Sequence, residues 1–296
     1  MFEKAKSLKK RLKLFLWGDS GVGKTTLALQ FPKPVVLDLE GGADQYGDDF
    51  AFDVLRTVDA DEIMQAVQWL GSHETQYSTV IIDPITIYWD ALQRKWSDIF
   101  LERHKDKKGW KHEFYDFQPR DWMTLKSEHK AFLRRLVALD MNVVVTARQK
   151  VQYEEGSLMR VSGTTFDGEK NLPYLFDTVV QMYRDQKGRR MGSVLKDRTN
   201  TLPDGEFEIK YTVFEALFGK ECLERKAEPN MIGEKQLSQI FDFWTLVPDE
   251  DKTKTFKLYG IEALEDLNRE QAKEILAGLK KKYGGAFAEK SKAITG

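Results

Sequence analysis

Gly18-Asp19-Ser20-Gly21-Val22-Gly23-Lys24-Thr25 follows the pattern G-x-x-x-x-G-K-[ST]. Its surroundings suit that pattern. The apolar run LKLFLW (12–17) reads as a strand that ends on the glycine loop, and residues 24–31 read as a helix that begins on Lys24. Glycines let such a loop turn its backbone N–H groups inward around phosphates, and a helix N-terminus adds partial positive charge. Gly18, Asp19, Ser20, Gly21, Val22, Gly23, Lys24, Thr25 and Thr26 are therefore the candidate nucleotide-binding residues, with ATP and Mg²⁺ as ligands. Lys24 is expected on the β- and γ-phosphates and the Thr25 hydroxyl on the metal.

Outward from the loop, short β-type runs alternate with longer helical patterns. The strands are expected at 34–39 (PVVLDL), 78–83 (STVIID), 142–147 (NVVVTA), 176–183 (FDTVVQMY) and 192–196 (GSVLK), and the helices at 59–71, 86–102 and 121–139. In the last helix Phe132, Leu133, Leu136, Val137 and Leu139 recur at helical spacing. Alternation of this kind predicts an α/β core with a mostly parallel sheet flanked by helices. Residues 176–196 also read as a hairpin about Gly188.

Past residue 219 the texture changes. Residues 1–220 are expected as the core, 221–233 as a linker, 234–285 as a small C-terminal helical appendage and 286–296 as a frayed tail. Asn268 and Gln271 have capping-box spacing at the last helix, and Gly284-Gly285 are expected to stop it.

Composition narrows the classes. With 41% hydrophobic and 31% charged residues the chain reads as a soluble globular protein. No apolar run of membrane-span length occurs, so no membrane contact and a cytoplasmic location are expected, and the single Cys222 suits a reducing compartment. A net charge of −1 argues against a globally basic DNA-coating protein. Local basic patches remain: Lys4, Lys6, Lys9, Lys10, Arg11 and Lys13 at the start, and Arg94 to His112, with Arg103, His104, Lys105, Lys107, Lys108 and Lys111 around Trp96 and Trp110.

Hydrolysis needs more acid than the loop contains. Asp83, at the end of the strand 78–83, suits a carboxylate in the Mg²⁺ shell at the carboxyl edge of a sheet. Pro84 follows it, so the water-activating Glu that AAA+ proteins place next to that Asp is missing. Glu40, delivered by the strand 34–39 to the same edge, is the candidate base.

The order P-loop, VVLDLEGG (35–42), VIID (80–83), VVVTARQK (143–150), VLKDRTNTLP (194–203) resembles the RecA-like ATPases of the recombinase kind, and most closely the phage-encoded Sak-type single-strand annealing ATPases. The resemblance covers about residues 12–218. It implies a RecA-like P-loop NTPase core, Glu40 as catalytic base alongside Lys24, a γ-phosphate sensor at Thr146, Arg148 or Gln149 with Gln149 favoured, and Lys196 and Arg198 reaching a neighbouring subunit's ATP. It further implies a homo-oligomer, ring or filament, acting on single-stranded DNA in an infected bacterial cytoplasm, with a single-strand binding protein as a further partner. Departures are the lack of a recognisable polymerisation motif and of an N-terminal DNA-binding domain. By the same resemblance the DNA loops fall at 94–121 and 150–172, the second with Lys150, Arg160 and Lys170.

Three rivals stand beside this reading. An AAA+ helicase loader or initiator also pairs a P-loop with DNA, but Pro84 and Glu40 argue against it. A P-loop kinase needs an Arg-rich lid, for which Arg184 to Arg190 is the candidate, although a hairpin there disfavours one. The third is a nucleotide-gated interaction module with negligible turnover.

Overall fold

The computed structural model describes residues 11–105, 115–153 and 160–295, with side chains to residue 284. The loop-bearing strand β1 (Lys13–Gly18) is buried along its whole length. It lies between two parallel neighbours, β5 (Asn142–Tyr153) and β7 (Thr178–Arg184). Helices cover both faces, which is why its sequence is a continuous apolar run rather than an alternating one.

Beyond β5 come β4 (Thr79–Asp83), β2 (Pro34–Asp38) and the edge strand β3 (Asp53–Arg56), all parallel. Beyond β7 come β8 (Arg190–Asp197) and β9 (Glu206–Glu208), both antiparallel. The full order is β3-β2-β4-β5-β1-β7-β8-β9, with β6 (Val161–Phe166) paired antiparallel to the far half of β5.

Alternate residues of the central strands serve opposite faces. Phe15, Val80, Ile82, Val143 and Val145 pack with α2 (Ala60–Ser72), α3 (Ile85–His104) and α4 (Pro119–Ala138). Leu14, Leu16, Ile81 and Val144 pack on the other side with α1 (Lys24–Ala28) and α6 (Tyr211–Phe218), and the short helix α5 (Leu172–Leu175) leads into β7. Asp59 caps α2 by accepting from the N–H groups of Asp61 and Glu62, at 2.8 and 3.0 Å.

Several expectations change. The helix read over 24–31 closes at Ala28 and gives way to turns. Residues 94–104, expected in a mobile DNA loop, form the second half of α3. There Trp96 donates from Nε1 to Glu128 at 2.7 Å and packs on the core, so it is no free stacking platform. Trp110, Lys107, Lys108, Lys111 and His112 lie outside the described residues, as do Lys4, Lys6, Lys9 and Lys10. The second expected loop is largely an antiparallel arm, β5–β6, because β5 continues to Tyr153.

Arg11 and Lys13 are not a surface patch. Arg11 is 4% exposed and donates to the carbonyls of Cys222, Arg225 and Lys226 at 3.1, 2.6 and 2.9 Å, while its Nε lies 3.4 Å from Asp140 Oδ1. Lys13 donates to the carbonyls of Leu139 and Met141 at 2.7 and 2.8 Å, and burial lowers its pKa to about 7. These charges are held inside by oxygen partners, as buried charges must be.

Residues 221–233 do not hang free as a tether. They carry all but the first residue of α7 (Lys220–Glu224), and Leu223, Ala227 and Met231 join the two clusters of the sheet. A third cluster follows, formed by Ile232 and residues of α8 (Glu234–Trp244) and α10 (Arg269–Thr295), with α9 (Asp249–Tyr259) alongside. The capping box is present: Gln271 N–H donates to Asn268 Oδ1 at 2.8 Å, and Asn268 N–H to Gln271 Oε1 at 3.0 Å. Gly284-Gly285 do not end α10, which runs on to Thr295. Glycine inside a helix costs only about 1 kcal/mol, and the residues after the pair are good helix formers.

Candidate active site

Four strands, β1, β2, β4 and β5, bring the site together at one edge of the sheet. The loop after β1 needs backbone freedom at Gly21 (φ 72°) and Gly23 (φ 97°). Gly18 is excluded from bearing a side chain for a different reason: a Cβ there would lie 2.1 Å from the Met182 carbonyl oxygen. Lys24, opening α1, donates from Nζ to the carbonyls of Gly18 and Asp19 at 2.9 and 2.8 Å. Burial lowers its pKa, while Asp83, Glu40 and Asp19 pull the other way.

Asp83 at the end of β4 is the hub. Thr25 donates from Oγ1 to Asp83 Oδ2 at 2.6 Å, and Thr146 on β5 donates to Oδ1. Burial raises the Asp83 pKa, and the two hydroxyls oppose that rise. Thr25 and Thr146 thus hold Asp83 from both of its carboxylate oxygens. A threonine hydroxyl beside one carboxylate is the sparse, hard-oxygen donor set that Mg²⁺ takes when phosphates and water complete its octahedron. Thr25 and Asp83 fit that ion.

Glu40 sits one strand further along, on a turn built by a residue the sequence reading missed. Asp38, 4% exposed, accepts the N–H groups of Glu40, Gly41, Gly42 and Ala43 at 3.2, 2.9, 3.3 and 2.8 Å. An Asp two residues before Glu-Gly-Gly was the available signal for such an Asx-type turn. Arg148, just past the buried part of β5, clasps Glu40, with Nε 2.6 Å from Oε1. Both side chains remain about half exposed, at 52% and 43%.

A cavity of about 370 Å³ lies above the loop. Its wall contains Lys24, Thr25, Thr26, Glu40, Asp83, Arg148 and Gln149, so most of the residues named from sequence meet in one place. Gln149 accepts from Gln181 Nε2 at 3.4 Å and lines the cavity, as does the other sensor candidate Arg148. Tyr46 also lines it and was missed, and Arg184 and Arg190, named from sequence only as a kinase-lid candidate, line it too because the tertiary fold brings them there.

Residues 10–202, more than half of the chain, match the family model described as AAA domain. The chain belongs to the AAA domain family. No curated protein sequence matches it significantly. Membership makes this AAA domain a nucleotide-binding P-loop ATPase, and the loop, a carboxylate at Asp83 and the cavity are parts that such an enzyme needs.

Two candidates of this AAA domain lie elsewhere. β8 begins beside the P-loop but runs antiparallel to β7, so it ends at the opposite edge. Lys196 there donates to the carbonyls of Pro173 and Tyr174 at 2.9 and 3.1 Å, and Arg198 donates to Tyr174 at 3.2 Å and pairs with Asp177 at 3.7 Å. At ~3.3 Å per residue, Lys196 is roughly 20 Å along the strand from Arg190. Neither cation lines the cavity. Among the described residues, no helix is long and apolar enough to cross a membrane.

Proposed function

We propose that this AAA-family chain is an Mg²⁺-dependent, RecA-like ATPase that acts as a homo-oligomer on single-stranded DNA, in recombination or strand annealing of the phage Sak type. The observation that carries the proposal is the source of the second acid. Pro84 occupies the place after Asp83, and the carboxylate nearest to it in the cavity wall is Glu40, brought from β2 on the Asp38 turn. In this reading Lys24 and the loop amides hold the phosphates, Thr25 and Asp83 hold the metal, and Glu40 takes the proton of the attacking water. When bound, Mg²⁺ supplies charge neutralisation for the transferring phosphoryl group.

The oligomer is supported by Lys196 and Arg198, whose position at the far edge of the sheet suits a partner's nucleotide. DNA contact is supported by the β5–β6 arm, where Tyr153, 49% exposed, offers a ring for base stacking near Lys150, which can neutralise phosphate. Lys150 itself pairs with Asp167 at 2.9 Å, a half-exposed ion pair that a phosphate can displace.

The family match gives a helicase loader of AAA type standing as the second reading. The kinase reading loses its lid, since Arg184 and Arg190 belong to paired sheet strands. Steady-state ATP hydrolysis across protein concentrations, with and without single-stranded DNA, tests the proposal. Stimulation by DNA with a rate rising faster than linearly in protein supports it. A DNA-indifferent rate, linear in protein, removes the oligomer and the DNA together.

A further inference from the structure

The β7–β8 hairpin closes the side of the cavity away from the acids. Beyond the loop, the acids of the cavity lie to one side of β1, Asp83 on β4 and Glu40 after β2, with Thr146 on β5 between. Arg184, ending β7, and Arg190, opening β8, lie to the other side and pair with each other in the ladder. At the usual ~4.8 Å between strands, Asp83 and Arg190 stand about 10 Å to either side of the P-loop strand.

Both arginines are laid against the loop itself. Arg184 reaches the Gly21 carbonyl from Nε and Nη2 at 3.4 and 3.3 Å, and Nη1 donates to Gly188 at 2.9 Å. Arg190 passes so close to Gly23 that an added Cβ would meet its Nε at 2.6 Å. Arg189 and Arg148 are neutralised by Asp185 and Glu40, whereas among the described residues no carboxylate pairs with Arg190. A partly buried guanidinium without a counter-charge, in the wall of a cavity built for phosphates, is an anion site in waiting.

The direction of the nucleotide follows from the two sides. The terminal phosphate must face Glu40 and Asp83, and the loop amides take the middle of the chain. We infer that Arg190 and Arg184 bind the opposite end in cis, contacting the α-phosphate and the nucleoside beyond it. The inference rests on the ATPase reading. It assigns these arginines to nucleotide retention rather than to the chemical step.

The test measures binding of ADP and of a non-hydrolysable ATP analogue by calorimetry, together with KM and kcat, for the wild type, Arg190→Gln, Arg184→Gln, Arg190→Lys and Lys24→Ala. Losing one charge-assisted contact should weaken ADP and the ATP analogue alike, by about tenfold, and raise KM with kcat within roughly twofold. Arg190→Lys should recover part of the loss, and the melting temperature of nucleotide-free Arg190→Gln should match the wild type. Unchanged affinities, a loss confined to the ATP analogue, or a fall in kcat at constant KM would overturn the assignment. Mixing Arg190→Gln with Lys24→Ala should restore nothing, and recovery on mixing would move the arginine to a partner's site. A wild type that binds neither nucleotide would instead remove the ATPase reading, which separates the two failures.

Discussion

Arg148→Ala should raise DNA-free ATP turnover. In the structure the Arg148 guanidinium holds Glu40 Oε1, so the carboxylate assigned to activate water is already engaged by a cation. The pair is 52% and 43% exposed, and ion pairs so open to solvent contribute only ~0.2–1 kcal/mol. Releasing Glu40 from it therefore multiplies the competent population by roughly 1.4 to 5, and no more. The same arithmetic limits the loss of folding stability to less than about 1 kcal/mol. Initial-rate hydrolysis without DNA, paired with urea unfolding of the same preparation, reads both quantities. A drop in turnover of tenfold or more at unchanged stability would refute the reasoning, because it would make Arg148 a group that touches the phosphates rather than one that restrains the base.

Three further outcomes are expected. Glu40→Gln should keep nucleotide binding within about twofold while turnover falls by 10² or more, measured by single-turnover hydrolysis; wild-type rates would remove the base from Glu40. Lys196→Ala should leave ATP affinity of the dilute protein intact and lower turnover only at concentrations where the wild type assembles, by about tenfold or more, as seen in rate against concentration. Stability should also depend on Lys13. Folded, its amine gives up its proton near pH 7; unfolded, it keeps the proton to about 10.4, so the unfolded chain binds more protons between those values and stability rises with pH by up to ~1.4 kcal/mol per unit. Lys13→Met should lack that rise when urea unfolding is compared at pH 7 and pH 9, whatever its stability at either one.

Motif residues and long buried strands were legible because their signals are local. The P-loop, Asp83 and Glu40 each stand where a strand pattern stops, and β1, β2, β4, β5 and β7 are apolar runs that both sheet faces demand. The short edge strand DVLR left no such trace, because its side chains are mostly exposed. The β5–β6 arm was hidden for the same reason: beyond Ala147 it leaves the core, and its composition becomes that of a loop. Arg11, Lys13 and Trp96 misled in the opposite sense. Charge and basic context suggest a surface, but carbonyl and carboxylate partners far along the chain hold them inward. Arg184 and Arg190 are in the site only because strand register aligns them beside β1.

The grip of Arg11 on residues 222–226 determines where this protein can exchange modules. A chain shortened to residue 219 would strip three carbonyls from a buried guanidinium, leaving Asp140 as its partner in the set, and would take Leu223, Ala227 and Met231 out of the sheet's two clusters. A break after Met231 leaves all of these in place and removes the third cluster as a unit. A border that spares the Arg11 contacts thus lies a dozen residues later than the change in sequence texture.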